Sequence, residues 1–319
     1  MKYKRIISAA AAVWLFLSNI PRMEAQEEKT IKWVDFTVTS EALRDAMDAD
    51  IESRGDADWI TLLAVLAARY GGDFSFYRKT DLTALLERHR AGEAFSEMTS
   101  NDKLFNYYIR AYSAVLGGML GPYTEISSEG TSAEGYGLTA FSPIAQGYYF
   151  SHFDDFGASR SYGYRRKHLG HDLMGSVGTP VIAVEAGYVE ACGWNQYGGW
   201  RIGIRSFDGK RYYYYAHLRK GHPFCDIYEG KIVDAGEVIG YLGMTGYSKK
   251  EDTNNIDTPH LHYGMQLILE PSQKDGTNQI WIDMYELTKF LSANKSRVIR
   301  SENGEYRALR VRIPADSHD

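Results

Sequence analysis

Cysteine is nearly absent: the 319 residues contain only Cys192 and Cys225. Their separation rules out a CxxC metal pair. In an exported chain an even count permits one disulfide without demanding it, because a bridge depends on how closely the two Cα atoms approach. An excess of positive charge is also missing. With a net charge of −5 and a pI near 6.0, nothing predicts nucleic acid or another acidic polymer as partner. Beyond Ala25 there is no apolar run long enough to cross a bilayer. What remains is ordinary for a folded chain: 44% hydrophobic residues and length for about two domains.

Residues 1–25 have the layout of a secretory signal peptide. Lys2, Lys4 and Arg5 precede an apolar stretch, residues 6–17, and Ala25 stands before the polar Gln26. Met23 suits the approach to such a cut poorly, so the alternative is a retained anchor tethering the chain to a membrane. Either reading expects the remainder to be exported, whether extracellular, in the cell wall or anchored outside the cytoplasm.

Residues 32–123 read as a helical domain. Trp59, Leu62, Leu63, Leu66 and Tyr70 recur at helical spacing, as do Leu104, Tyr108, Ala111 and Val115 before Gly117-Gly118 ends the run. Further helices are expected near 41–51 and 82–90, the second opened by Thr80 or Asp81 as N-cap. Each carries an apolar stripe that needs cover. No repeat or binding motif is present, so packing on the rest of the chain is the simpler role. His89, between Arg88 and Arg90, reads as solvated.

Residues 124–136, rich in Ser, Gly, Glu and Thr, read as a linker. From 137 to 270 the pattern changes to short strands punctuated by glycine, at 181–186, 187–192, 200–206, 211–216 and 261–267. Asp208-Gly209 is a hairpin signal between two of them, and Tyr212 to Tyr215 would send alternate rings to core and groove. Residues 271–319 form a C-terminal extension, with a closing helix expected at 281–291 and no assignment for Arg300, Arg307, Arg310 and Arg312. The expected class is α+β: a helical segment, then a mainly antiparallel all-β domain.

The histidines concentrate in that β region. His168-Leu169-Gly170-His171-Asp172 and His260-Leu261-His262 are read as strands, in which side chains alternate. His168 and Asp172 then share one face, His260 and His262 another, and His171 points away. If the faces meet, two imidazoles and a carboxylate surround one point, the donor set of an open zinc site. His152, His222 and His318 lie outside every motif and read as incidental.

Taken in order, the His168–Asp172 run, Gly178-Thr179-Pro180-Val181, Tyr215-Ala216-His217-Leu218, Ala235-Gly236-Glu237-Val238-Ile239-Gly240 and His260-Leu261-His262 resemble the lysostaphin/LytM-type zinc endopeptidases. The resemblance spans residues 153–265. Single motifs of this kind arise by chance, but five in order are specific. The resemblance implies a LytM-type peptidase domain that cleaves peptide bonds of bacterial peptidoglycan. It implies one Zn2+ per domain, held by His168, Asp172 and His262, with His217 and His260 as proton shuttles or transition-state hydrogen-bond donors. Many relatives continue after the HxH motif with Phe-Glu, where this chain has Tyr263-Gly264.

The alternative is a catalytically silent domain of the same type that binds wall peptide or activates a partner hydrolase. Such domains typically lack metal residues, and this chain keeps all five positions. A third reading makes the helical segment the working part of an export apparatus. Oligomeric state, the bond cut and any inhibitory segment are not legible.

Overall fold

The computed structural model describes residues 31–99, 101–161, 165–276 and 278–315. The expected signal segment and His318 lie outside them. Among the described residues no helix is long and apolar enough to cross a membrane.

Four helices open the fold: α1 (Ser40–Ser53), α2 (Trp59–Tyr70), α3 (Lys79–Arg90) and α4 (Asp102–Leu116). Three are capped as their sequences suggest. The Thr39 hydroxyl accepts from the Ala42 amide at 3.3 Å, Asp58 from Thr61 at 2.7 Å and Asn101 from Leu104 at 3.1 Å, each satisfying an amide that has no partner within the helix. α3 departs from expectation: its N-cap is Arg78, with no side-chain bond. Asp81 is drawn instead into a tertiary contact, accepting from the Tyr70 hydroxyl at 2.6 Å. His89 is not simply solvated either. Its ring stacks on Phe95 at 4.2 Å and its Nε2 lies 3.1 Å from Asp56 Oδ2, because the turn after α3 folds back over it.

The strands follow as β1 (Ile31–Val34), β2 (Leu120–Ser127), β3 (Ser132–Leu138), β4 (Ser151–Phe153), β5 (Ser159–Arg160), β6 (Arg166–Lys167), β7 (His171–Met174), β8 (Pro180–Ile182) and β9 (Gly187–Asn195). β10 (Gly199–Ser206), β11 (Arg211–Ala216), β12 (Ile232–Val233), β13 (Val238–Tyr241), β14 (His260–Leu267) and β15 (Gln279–Ile282) precede α5 (Tyr285–Leu291). β16 (Val298–Arg300), β17 (Tyr306–Ala308) and β18 (Arg310–Pro314) end the described chain. The large sheet runs β1-β15-β14-β11-β10-β9-β12, with β7 added to β14 and β4 to β7. β14 is its centre. One edge pairs with β11, while the other is shared: its first half takes β7 and its second half β15.

Two expectations about organisation are corrected, and the packing of the helices on the rest of the chain is as expected. Residues 124–136 are no linker, because β2 and β3 pair as a hairpin and β18 joins β2 to make a three-stranded sheet. Their polar residues decorate solvent-facing strands, whose pairing comes from backbone bonds that composition does not reveal. The helices do not build a separate core. Trp59, 2% exposed, packs on Phe290 of α5 with ring centroids 6.1 Å apart, and one apolar cluster runs from Phe36 to Leu291. The buried Arg211 guanidinium binds Glu185 at 2.8 and 2.9 Å and reaches the Ala114 carbonyl of α4 at 3.2 Å. The closing helix begins only at Tyr285, since residues 279–282 are recruited as β15. Thus the expected C-terminal extension supplies β15 to the large sheet and β18 to the three-stranded one, and Arg310 and Arg312 bind Glu125 at 2.7 and 3.1 Å.

Both cysteines are free thiols. Cys225 Sγ instead lies 3.5 Å from the Tyr306 carbonyl.

Candidate metal centre and its cleft

Register builds the site. Along β14, His262 lies directly opposite Asp172 on β7 and opposite Ala216 on β11. Cross-strand partners on one face stand about 4.5–5.5 Å apart at Cβ, close enough for side chains to meet. His168 arrives differently from expectation, because the strand starts only at His171. His168 instead continues the β5–β6 pairing, its amide bonding to the Ala158 carbonyl at 2.8 Å and the Gly157 amide bonding back to its own carbonyl at 2.8 Å, and the chain bends at Gly170 before β7. Gly170 makes that approach feasible: a Cβ there would stand 2.6 Å from His262 Cε1 and 2.9 Å from the Tyr263 carbonyl oxygen.

Three donor atoms therefore converge. His168 Nε2 is 3.1 Å from Asp172 Oδ1 and 2.9 Å from His262 Nδ1, which is 3.0 Å from Asp172 Oδ1. Behind them, Asp155 Oδ1 lies 2.9 Å from His168 Nδ1, and the Asp155 backbone carbonyl lies 3.3 Å from it. Arg160 pairs with Asp155 and reaches Asp172 Oδ2 at 3.4 Å. Burial works against charge on His168, but its bonds to Asp155 and Asp172 prevail and raise its pKa to about 9. Burial would raise Asp172, yet hydrogen bonds to His168 and His262 hold it well below the usual carboxylate range. Burial lowers His262, opposed by Asp172.

Two further imidazoles face this point. His217, in left-handed backbone geometry (φ 62°) just past β11, gives its Nδ1 proton to the Thr245 carbonyl at 2.9 Å. His260 Nδ1 lies 2.8 Å from the Thr258 carbonyl, and its Nε2 lies 3.8 Å from Asp172 Oδ2. Each carbonyl fixes the tautomer that leaves Nε2 with a lone pair. The His217 and His260 rings are 4.8 Å apart. Burial, then the proximity of His260 and His262, holds His217 well below its ordinary pKa.

The cluster stands at one end of a cleft of about 460 Å³. Tyr213 and Tyr215 are buried in the core, while Tyr212 and Tyr214 line the cleft, the alternation expected of β11. Trp281 forms a wall, edge-on to Tyr214 at 6.3 Å. It lies across Gly264, where a Cβ would stand 3.0 Å from the indole, so the position where many relatives carry an acid is here covered by a ring. Arg166 sits 5.0 and 5.2 Å over the rings of Tyr197 and Tyr247.

Residues 166–276 match the sequence profile of Peptidase family M23. This part of the chain is an M23 peptidase domain. It is similar to the L-Ala–D-Glu endopeptidase of Bacillus subtilis (strain 168), at 43% identity over 119 residues, 36% of this chain and 34% of that protein. It is also similar to lysostaphin of Staphylococcus simulans, at 38% identity over 97 residues, 30% of this chain and 17% of that protein. The chain thus spans about a third or less of the length of these relatives. A crystal structure of a putative glycyl-glycine endopeptidase LytM from Ruminococcus gnavus ATCC 29149 superposes with a TM-score of 0.56 at 22% identity, covering 84% of this chain and 92% of that one. That likeness is one of fold: a helical segment followed by an M23-type strand-rich domain.

The M23 domain brings all five sequence-selected residues, His168, Asp172, His217, His260 and His262, to one place. His171 does point away, but it is not without a partner: its Nε2 is 2.9 Å from Nδ1 of His152, so His152 is not incidental. Burial, then His152, lowers His171 to about 3. Likewise His222 pairs with Glu305. Asp155 and Arg160 were missed altogether, because Asp155 lies in the loop before β5 and Arg160 on β5 itself, and no local spacing encodes the approach of either to the donor atoms.

The donor set suits a metal ion. His168, Asp172 and His262 form a group that could hold one. Asp155 beside Nδ1 of His168 keeps a proton on that nitrogen, so an ion that displaced the Nε2 proton would meet three electron-pair donors separated by 2.9–3.1 Å. A cation satisfies all three at once, and nitrogen and carboxylate oxygen are the ligands that zinc takes.

Proposed function

We propose that this protein is an exported zinc endopeptidase that hydrolyses peptide bonds of bacterial peptidoglycan. One observation carries the reading: the donor triangle of His168, Asp172 and His262 opens on a cleft, with the Nε2 edges of His217 and His260 beside it. The M23 membership and the endopeptidase names of the relatives support it. The apolar leader at 6–17 supports export.

His168 through Nε2, Asp172 through Oδ1 and His262 through Nδ1 would hold the ion. When bound, zinc supplies Lewis acidity that polarises a carbonyl and makes water a better nucleophile. The chain supplies the rest. His217, kept neutral by burial and oriented by the Thr245 carbonyl, presents a lone pair that accepts a proton at Nε2. His260, oriented by Thr258, stands on the same side to hydrogen-bond the reacting group. Asp155 and Arg160 hold the donors in place, and Tyr212, Tyr214 and Trp281 line the groove for an extended peptide.

The experiment is a metal analysis with a digest of purified peptidoglycan. Wild type is expected to carry about one zinc and release peptides. His217→Ala should retain zinc but digest roughly 10²–10⁴-fold more slowly, as loss of acid–base help predicts. Equal digestion removes His217 from the mechanism. A zinc-free, inactive wild type favours the silent-domain alternative.

A further inference from the structure

The chain is acidic overall, at −5, yet among the described residues five cationic side chains line the cleft against two carboxylates, Asp172 and Glu190. Such segregation of charge concentrates ligands of opposite sign in a low-dielectric groove. Three of the cations, Arg160, Arg166 and Lys167, stand near the histidines. The other two, Arg205 and Lys274, mark the remote end.

Register places that end. Gln266 is four residues beyond His262 on β14 and lies opposite Tyr212, which lies opposite Arg205 on β10. At about 3.3–3.4 Å per residue the separation along the strands is roughly 13 Å, or about four residues of extended peptide. There Arg205, 1% exposed, gives two hydrogen bonds of 2.7 Å to Glu190 and leaves Nη1 buried without a partner among the described residues. Glu190 is thus already neutralised. Lys274, exposed on the 3-10 helix Pro271–Asp275, adds an ammonium whose charge also acts on Glu190 but which forms no ion pair with a carboxylate among the described residues.

We propose that the cleft binds peptides through their free carboxylates, with Lys274, backed by Arg205, as a carboxylate subsite remote from the histidine cluster. This deepens the endopeptidase reading and rests on it: the substrate is an anionic peptide, and an uncharged oligoglycine is a poor one. Lys274 is a specificity-determining residue and takes no part in bond cleavage.

The test uses the full chain as zinc-loaded His217→Ala and two peptides of one sequence, with free or fully amidated carboxyl groups, in isothermal titration. The carboxylate peptide is expected to bind roughly tenfold tighter, the worth of about one charge-assisted hydrogen bond. Added salt should narrow the gap. Lys274→Gln should remove most of the preference and Lys274→Arg restore it. Equal affinities, or a preference untouched by Lys274→Gln, overturn the proposal. Wild type is then tested for cleavage: preferential binding with neither peptide cut would sink the endopeptidase reading and leave the subsite standing.

Discussion

Asp155 offers the most direct probe of how the donor triangle is held. Its carboxylate oxygen lies 2.9 Å from His168 Nδ1, with its own backbone carbonyl sharing the contact at 3.3 Å. In Asp155→Ala the backbone carbonyl remains and the carboxylate is lost. Two consequences weaken the site together. The His168 ring loses the partner that favours the tautomer with a lone pair on Nε2. Arg160 loses one of its two carboxylates and is left with Asp172, a donor it would now draw away from the ion. Outer partners of this kind are typically worth 10–100-fold in metal affinity, which is about 1.4–2.7 kcal/mol. The assay is zinc competition against a chromophoric chelator, with circular dichroism of the chelated protein to report folding separately. Asp155→Asn, which keeps an acceptor but not the charge, should fall near the low end of that range. An alanine variant that folds normally and holds zinc as tightly as wild type would refute the reasoning.

Other perturbations test other links. Gly170→Ala would set a methyl 2.6 Å from His262 Cε1 and 2.9 Å from the Tyr263 oxygen, so the ring must move; zinc affinity should collapse while the helices stay folded, and unimpaired binding would contradict the close approach. Glu125 is partly buried, which would raise its pKa, but bonds from Arg310 and Arg312 prevail and lower it. A depressed carboxylate stabilises above its unfolded pKa of about 4.3 and loses that contribution as pH falls through the folded value. Glu125→Gln should therefore lower Tm at neutral pH, with the difference from wild type vanishing in acid; a constant difference would place the effect elsewhere. Trp59→Ala, deep in the shared core, should cost about 3–5 kcal/mol and shift one common denaturation transition; two separable transitions would speak against a single core.

How much was legible can be judged residue by residue. Helical periodicity located α2 and α4, since each turn of apolar spacing is a local property of the chain. Alternation along Tyr212–Tyr215 foretold which rings face the cleft, because side chains on a strand must alternate. The five ordered motifs pointed to one site, and His168, Asp172 and His262 do meet there. The hairpin at 124–136 was invisible because its pairing is made by backbone groups that every residue carries. β15 was taken for helix because residues 281–291 join a strand to a helix with no breaking proline or glycine between them.

The chain's order of residues, then, singled out the side chains that meet at the candidate site and the local periodicity of most elements, for motifs and periodicity depend on neighbours a few positions apart. Only the tertiary structure decided that Asp155 stands behind His168, that Trp281 covers Gly264, and that Lys274 ends the groove beyond Tyr212. Each of these rests on register between distant strands and on turns that carry one segment over another. The physical reason is that a contact between remote segments is fixed by the whole packing arrangement, and no spacing within either segment records it.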